Sequence, residues 1–501
     1  MDVVSPEVEK PSGARLGRDA LIYGLAFVLS RAAGFIMLPV YTRYLSPEDY
    51  GTLSLLQMSL DVATILLSSG VTAGVYRFYF KADTERERRA VVVMAWLMMT
   101  ALNVLGAIGL FIASPVLAER VLDDPSRAPL VWIVAISFAL DPCVTVPSLL
   151  MQVRQRSMLY SVSSIARLLL QLTLNVVFLV VLKLGVRGIL LSTVITYVVL
   201  SLPMLVWFFR QLGFVLSRTA TRDLWRFGLP YRVTEAGTFI LTYVDRYFLL
   251  AAWGLYETGV YSLAYQFGFL VGYLGTVPFL LAWNPQRFQM VSEPREVRDR
   301  FFNQGFRYLT GLVVTLAVGI SLFVGPVLSV MSDPKYHDAA PIVPYVMAAY
   351  VAQGWTQVLE FGIQVSERTK FVTIATWIAV GVIFVLYATL IPPLGALGAA
   401  LATLLAFLVR LVAFAWFAQR LWPVSYVWTP HLLLASYGVL VVAAYLVLAP
   451  VGLANELAAA VPLCLVYFAL LWGGGVLGRE DRATIAEFVR SRARRVLGRT
   501  G

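Results

Sequence analysis

Residues 152–157 read QVRQRS, and residues 364–369 read QVSERT. The phrases stand 212 positions apart in a chain of 501 residues. Each closes a long apolar run and opens a polar loop. If an even number of membrane crossings lies between them, both exits face the same side. The chain then repeats one bundle in parallel, about an axis along the membrane normal.

Composition supports the membrane premise. The chain is 59% hydrophobic and 14% charged, with a mean hydropathy of +0.76, whereas soluble domains are about 25% charged. A span needs about 20 mostly apolar residues. About fourteen such stretches follow one another, at 18–42, 51–74, 90–113, 129–151, 159–183, 187–209, 227–251, 259–283, 306–331, 341–364, 371–391, 395–418, 431–450 and 456–478. They are continuous runs, not the alternating short segments of a membrane barrel. The first holds Arg31 and Pro39 and lacks a small-x-small cleavage site, so it reads as a retained helix and not a leader.

The two phrases follow spans four and ten, six spans apart. A second match supports the repeat: LGVRGILLSTVIT (184–196) aligns without gaps to LGALGAALATLLA (394–406), opening spans six and twelve. A looser third pairs TRYLSPEDYGTLSLL (42–56) with DRYFLLAAWGLYETGVYSLAY (245–265). The expected architecture is all-α and polytopic. A cytoplasmic tail (1–17) leads into a six-helix lobe (18–209), a linker (210–226) and a second six-helix lobe (227–418). Two further helices (431–478) and a basic tail (479–501) complete the chain, and a central cavity is expected between the lobes.

With both termini in the cytoplasm, about 29 of the 40 Lys and Arg residues fall in tails and inner loops, as the positive-inside bias requires. Inner loops so assigned include YRFYFKADTERERR (76–89) and NPQRFQMVSEPREVRDR (284–300). The net charge of +11 therefore needs no nucleic acid, because anionic inner-leaflet lipid is its partner. The tail 479–499 is Arg-rich, with apolar residues at helical spacing, and suits either a helix on the inner leaflet or a solvated tail. The two cysteines, Cys143 and Cys464, form no disulfide framework, and two histidines make a metal site improbable. No catalytic motif is present, and the longest outer loop (114–128) is too short for a catalytic domain, so enzyme readings weaken.

Polar residues recur at helical spacing inside the spans. Asp141, Thr145, Ser148 and Gln152 in span four fall on Gln353, Gln357, Glu360 and Gln364 in span ten at the repeat offset. Each set occupies one helix face, and such faces avoid lipid because unsatisfied polar groups there cost several kcal/mol. Span two carries Gln57, Asp61, Thr64, Ser68 and Thr72, span five Ser163, Arg167, Gln171 and Asn175, and span seven Arg232, Glu235, Thr238, Thr242 and Asp245. The counterpart of span five is Ala375, Ala379, Ile383 and Tyr387, so the first half is expected to hold the extra positive charge.

The stretch SRAAGFIMLPVYTRYLSPEDYGTLSLL (30–56) resembles the opening of Wzx-like oligosaccharide flippases, the polysaccharide branch of the multidrug/oligosaccharidyl-lipid/polysaccharide exporter superfamily. VDRYFLLAAWGLYETGVYSLAYQFGFLVG (244–272) and GALGAALATLLAFLVR (395–410) are similar to its later spans. The resemblance implies two six-helix lobes that turn an undecaprenyl-diphosphate-linked oligosaccharide to the outer leaflet by alternating access. It implies residence in the cytoplasmic membrane, a role in cell-surface polysaccharide synthesis, and a polysaccharide polymerase and chain-length regulator as partners. Lipid II flippases and drug or cation exporters share the scaffold and are the alternatives.

Each intramembrane charge is a functional candidate with a structural alternative. Arg31 suits a substrate phosphate or a partner such as Asp61, and its position matches an arginine of the lipid II branch by resemblance. Arg167 suits phosphate or a span-four carboxylate. Arg232 is more simply a partner of Glu235. Arg246, adjacent to Asp245, is expected to point away from it and to snorkel or bind. Arg410 is expected to be structural or to snorkel. Gln57, Gln152, Gln353, Gln357 and Gln364 complete the expected headgroup site. Tyr261 and Tyr265 can stack on sugar, although packing is their plainer reading. Asp61, Asp141, Glu235, Asp245 and Glu360 are candidates for H+ or Na+ coupling or for pairing with these arginines, and no other cofactor is expected.

Overall fold

A computed structural model describes residues 35–474. Arg31, the start of the first span and the basic tail at 479–499 lie outside the described residues. The described chain folds into helices α1 (Leu38–Tyr44), α2 (Pro47–Leu67), α3 (Ser69–Lys81), α4 (Glu85–Arg120), α5 (Ala128–Leu140), α6 (Pro142–Val153), α7 (Ser157–Val176) and α8 (Gly185–Leu212). It continues with α9 (Arg218–Tyr243), α10 (Asp245–Leu270), α11 (Val277–Gln289), α12 (Arg295–Met331), α13 (Val343–Val365), α14 (Lys370–Leu421), α15 (Thr429–Leu448) and α16 (Leu453–Gly473). Ten helical segments among the described residues are long and apolar enough to cross a membrane. Two of them, Arg232–Ser292 and Lys370–Leu421, run for 61 and 52 residues, long enough for two crossings each. The protein is a multi-pass membrane protein.

Local chemistry sets the ends. Ser46 opens α2 and Thr84 opens α4, each in a reciprocal capping box, with Asp49 and Glu87 respectively. At α5 and α6 a single span is kinked at Pro142, whose missing N–H frees the carbonyl of Phe138. Asn103 of α4 donates to that carbonyl at 2.9 Å and accepts from Ser68 at 2.6 Å, so this buried amide meets both demands. Gly254 (φ 81°) breaks α10 and Gly395 (φ 56°) breaks α14, each where one span turns back into the next. At the second turn Trp253 donates to the Ile391 carbonyl (3.0 Å), and Glu257 accepts from the Ala396 N–H (3.3 Å).

The two repeated phrases take the same turn. The Gln155 N–H donates to the Gln152 carbonyl at 2.9 Å, and the Glu367 N–H donates to the Gln364 carbonyl at 3.0 Å. Gln155 and Glu367 are both left-handed, at φ 53° and 57°. The aligned glycines Gly185 and Gly395 are also left-handed, at φ 57° and 56°. Arg154 in the first phrase anchors its loop by donating to Glu85 (2.8 Å) and Gln211 (3.2 Å).

Packing divides the chain into two compact units between Leu250 and Ala251. The repeat places the division at 210–226, one helix earlier. The reason is α9, whose Ala220 and Leu224 sit in a core with Val71, Val75 and Val92 of the first unit. Its Gly228 lies directly on Gly70 of α3. In the second unit, α15 and α16 bury Val441, Tyr445, Ala460 and Tyr467 against Val314, Val318 and Leu322 of α12. The connection between α14 and α15 is tied down, since Asp299 accepts from the Ser425 N–H (3.0 Å) and Asn303 from the Val427 N–H (2.7 Å).

Candidate functional site

Each unit encloses a polar cavity lined by one of the two aligned polar faces. The first has a volume of about 180 Å³ and is lined by Thr145, Ser148 and Gln152 of α6 and by Tyr160, Ser163 and Arg167 of α7. The polar face of α6 meets α7 at this cavity. Asp141 stands at the head of that face, where it accepts from Thr145 (2.9 Å) and Tyr197 (3.5 Å). Arg167 is the cation electrostatically coupled to it. Gln152 accepts from the Tyr76 hydroxyl at 2.6 Å. The floor of this space is thus a guanidinium with hydroxyl and amide neighbours, a set suited to phosphate or sugar oxygens.

The second cavity, of about 250 Å³, is lined by Gln353, Thr356, Gln357, Glu360 and Gln364 of α13, with Asn284 and Arg287 of α11 and Arg410 of α14. Arg410 donates to Gln353 at 3.1 Å, and Gln364 donates to Glu360 at 3.0 Å. Arg410 is 7% exposed and so does not snorkel. The expected surplus of positive charge in the first half does not appear in the described cavities, since the first lining holds Arg167 and the second holds Arg287 and Arg410 against Glu360, one net positive charge each. The span-five counterpart is apolar, as its sequence says, but α11 and α14 supply the charge instead.

The sequence reading ends span eight at 283 and assigns 284–300 to a loop, which leaves Arg287 out of the candidates. The helix runs on to Gln289. The available signal was Asn284 and Arg287 at a spacing of three, continuing a helix beyond an aromatic residue.

The remaining candidates take other places. Gln57 and Asp61 are exposed on α2. Arg232 donates to the Leu67 carbonyl at the end of α2 (3.2 Å) and lies over the Trp225 ring (4.8 Å). That is a capping role for a carbonyl the helix leaves unsatisfied. Glu235 is half-buried on α9, and Thr238 and Thr242 donate back to carbonyls of the same helix. Gln171 and Asn175 are used in packing, bonded to Ser192 (2.8 Å) and Tyr41 (2.8 Å) respectively.

Two expectations are corrected. Arg246 neither points away from Asp245 nor snorkels. The pair is buried, with the guanidinium 2.8 Å from the carboxylate. The backbone changes helix at Val244, so Asp245 begins α10 and accepts the Arg246 N–H (2.9 Å) as well as its side chain. Tyr261 and Tyr265 are no sugar platform, since both are fully buried. Tyr265 packs at 5.8 Å against Tyr350 of α13, where Gly268 lets the helices approach closely.

A third hollow in the first unit, of about 480 Å³, is apolar and lined by Val62, Leu66, Gly106 and Gly109, with Ser59 and Tyr247 at its polar edge.

The chain is 24% identical over 268 residues to "Lsg locus putative protein 1" of Haemophilus influenzae, a match covering 51% of this chain and 61% of that relative. The fold is similar to that of a lipid II flippase, MurJ, in an inward closed conformation (TM-score 0.67, 12% identity, covering 90% of this chain and 99% of that one). It is also similar to an inward-facing multidrug resistance MATE family transporter of the MOP superfamily (TM-score 0.62, 16% identity, 80% and 97% covered). A MOP superfamily transporter from Pyrococcus furiosus gives a TM-score of 0.57 at 15% identity, with 80% and 95% covered. The polysaccharide biosynthesis protein family matches residues 16–290, more than half of the sequence, and the chain belongs to that family.

Proposed function

We propose that this protein is a flippase that carries a prenyl-diphosphate-linked oligosaccharide, with undecaprenyl as the prenyl chain, from the inner to the outer leaflet of the cytoplasmic membrane by alternating access. The observation that carries the proposal is the pair of polar cavities, the first lined by the half-buried Arg167 and the second by the buried Arg287 and Arg410, inside otherwise apolar helices. A diphosphate and its sugars cannot cross a hydrocarbon core of about 30 Å unaided. Arginine presents fork-shaped donors matched to phosphate oxygens, and amide and hydroxyl faces match sugar hydroxyls. Transport of this kind needs no covalent step. Family membership supports a role in polysaccharide synthesis, with a polymerase and a chain-length regulator as downstream partners. Asp141, bonded to Thr145 next to the first cavity, and Glu360, in the lining of the second, are our candidates for coupling transport to H+ or Na+.

A multidrug or cation exporter on the same fold is the second reading. A cation site should carry net negative charge, whereas the second cavity has two arginines against one carboxylate, which favours an anionic cargo. A lipid II flippase would use the same headgroup chemistry and is separated only by assay.

The test is purification into vesicles and measurement of transbilayer movement of an undecaprenyl-diphosphate oligosaccharide, beside lipid II and a lipophilic cation. Wild type is expected to move the oligosaccharide lipid, and folded Arg167→Gln to move it about tenfold more slowly or less. Movement of the lipophilic cation alone would retire the proposal and leave the fold unchanged.

A further inference from the structure

The second-unit cavity contains a cation that the structural reading of intramembrane arginines does not explain. Arg287 is 4% exposed, and its Nε and NH1 atoms have no hydrogen-bond partner among the described residues. Its remaining nitrogen donates to the Asn284 side-chain oxygen, one helical turn earlier. The guanidinium lies over Phe361 at 4.5 Å and Trp283 at 5.0 Å. Those rings fix its plane and favour its charge, but they supply no acceptor and no full negative charge. Arg232 is different, because its guanidinium meets a helix-terminal carbonyl.

The charge count around the cavity points the same way. Arg287 and Arg410 are the cations in the lining, and Glu360 is the carboxylate, already accepting from Gln364 at 3.0 Å. The lining therefore carries one net positive charge within a membrane-spanning bundle. Cations in such a place are rare and are matched by an anion or a pathway. The cavity, at about 250 Å³, has room for a sugar ring or a diphosphate. The amides of Gln353 and Gln357 stand beside the guanidiniums and suit the hydroxyls that accompany such a group.

We propose that this cavity is an oxyanion site in which Arg287, held between Trp283 and Phe361, receives a phosphate or carboxylate borne by a saccharide headgroup. The proposal deepens the transport reading and rests on it for the saccharide, but the anion site can be tested without any transport.

The experiment is equilibrium dialysis of the full-length protein in detergent with radiolabelled pyrophosphate, radiolabelled glucuronate and, as a neutral control, glucose. Arg167→Gln serves as the background, to silence the first-unit cavity. The background protein is expected to bind at least one of the two anions and not glucose. Adding Arg287→Gln is expected to weaken that binding about tenfold or more. Binding of pyrophosphate alone identifies the lipid's diphosphate as the source of the anion. Binding of glucuronate alone identifies an acidic sugar, and either supports the site.

Should Arg287→Gln not fold, Arg287→Lys removes the fork while keeping charge, and Gln357→Leu fills the cavity with an apolar chain. Each is expected to weaken binding about fivefold. Unchanged affinity in the Arg287 and Gln357 variants, or loss of all anion binding in Arg167→Gln alone, overturns the proposal. Absence of anion binding together with normal transport in vesicles overturns it too, while leaving the flippase reading in place.

Discussion

At the scale of single residues, the first unit depends on how closely α3 and α9 approach. A Cβ built on Gly70 would meet the Gly228 backbone, with the Gly228 Cα at 2.6 Å and its carbonyl carbon at 2.8 Å. Backbone cannot rotate aside. Gly70→Ala should therefore lower stability by about 1–3 kcal/mol, the usual effect of overpacking. One turn on, a Cβ at Gly74 would meet the tip of the Leu224 side chain at 2.8 Å. That tip can change rotamer, so Gly74→Ala should be milder. Gly109, inside α4, has nothing within 4 Å of its built Cβ. Gly109→Ala should be neutral, or should stabilise by up to about 1 kcal/mol through helix propensity. Thermal unfolding of the three variants in one detergent gives the ranking, and equal effects of Gly70→Ala and Gly109→Ala would refute the close-contact account. The same scale separates arginines that sequence treats alike. Arg232 completes the end of a helix, Arg246 neutralises a buried carboxylate, and Arg167 and Arg287 face open polar space.

At the scale of elements, the two helix exits make a matched experiment. Gln155 and Glu367 are exposed and left-handed, so a change at either reports on the backbone and not on packing. A β-branched residue is a poor fit to that conformation. Glu367→Val should destabilise by about 1–2 kcal/mol, and Glu367→Asn should be close to neutral, as judged by melting temperature. Gln155→Val and Gln155→Asn should behave alike, and a large effect at one exit alone would mean the two turns differ in what they bear. These turns were legible in sequence because QVRQRS and QVSERT carry a local rule in local residues. The polar faces of α6 and α13 were legible for the same reason, since a spacing of three and four survives any packing arrangement. What packs against such a face is a long-range matter. Arg287 and Gln357 line one cavity although more than sixty residues of chain separate them, and Tyr265 is buried against Tyr350 of α13. The helix change at Val244 likewise defeated the rule that adjacent residues on a helix diverge, because Asp245 and Arg246 stand at a helix start.

At the scale of the molecule, α4 is a ruler. Its 36 residues extend about 54 Å at 1.5 Å per residue, well beyond a hydrocarbon core of about 30 Å. Its length and hydropathy suit a membrane crossing that puts its two ends on opposite sides. Asp83 precedes the Thr84 cap at one end, and Ser126 lies in the short turn beyond the other. Both are exposed. Which end is cytoplasmic is a matter of charge, and the Asp83 end carries Arg86, Arg88 and Arg89 beside Lys81. The positive-inside bias assigns that end to the cytoplasm. The two native cysteines, Cys143 and Cys464, are free, so Cys143→Ala with Cys464→Ala gives a background for single-cysteine labelling. A membrane-impermeant maleimide applied to intact cells should label Ser126→Cys at once, and Asp83→Cys only after the membrane is opened. The reverse pattern would invert the molecule and, with it, the direction of transport. Labelling of both from outside would mean that α4 does not cross at all, which its length and its capped start make physically difficult.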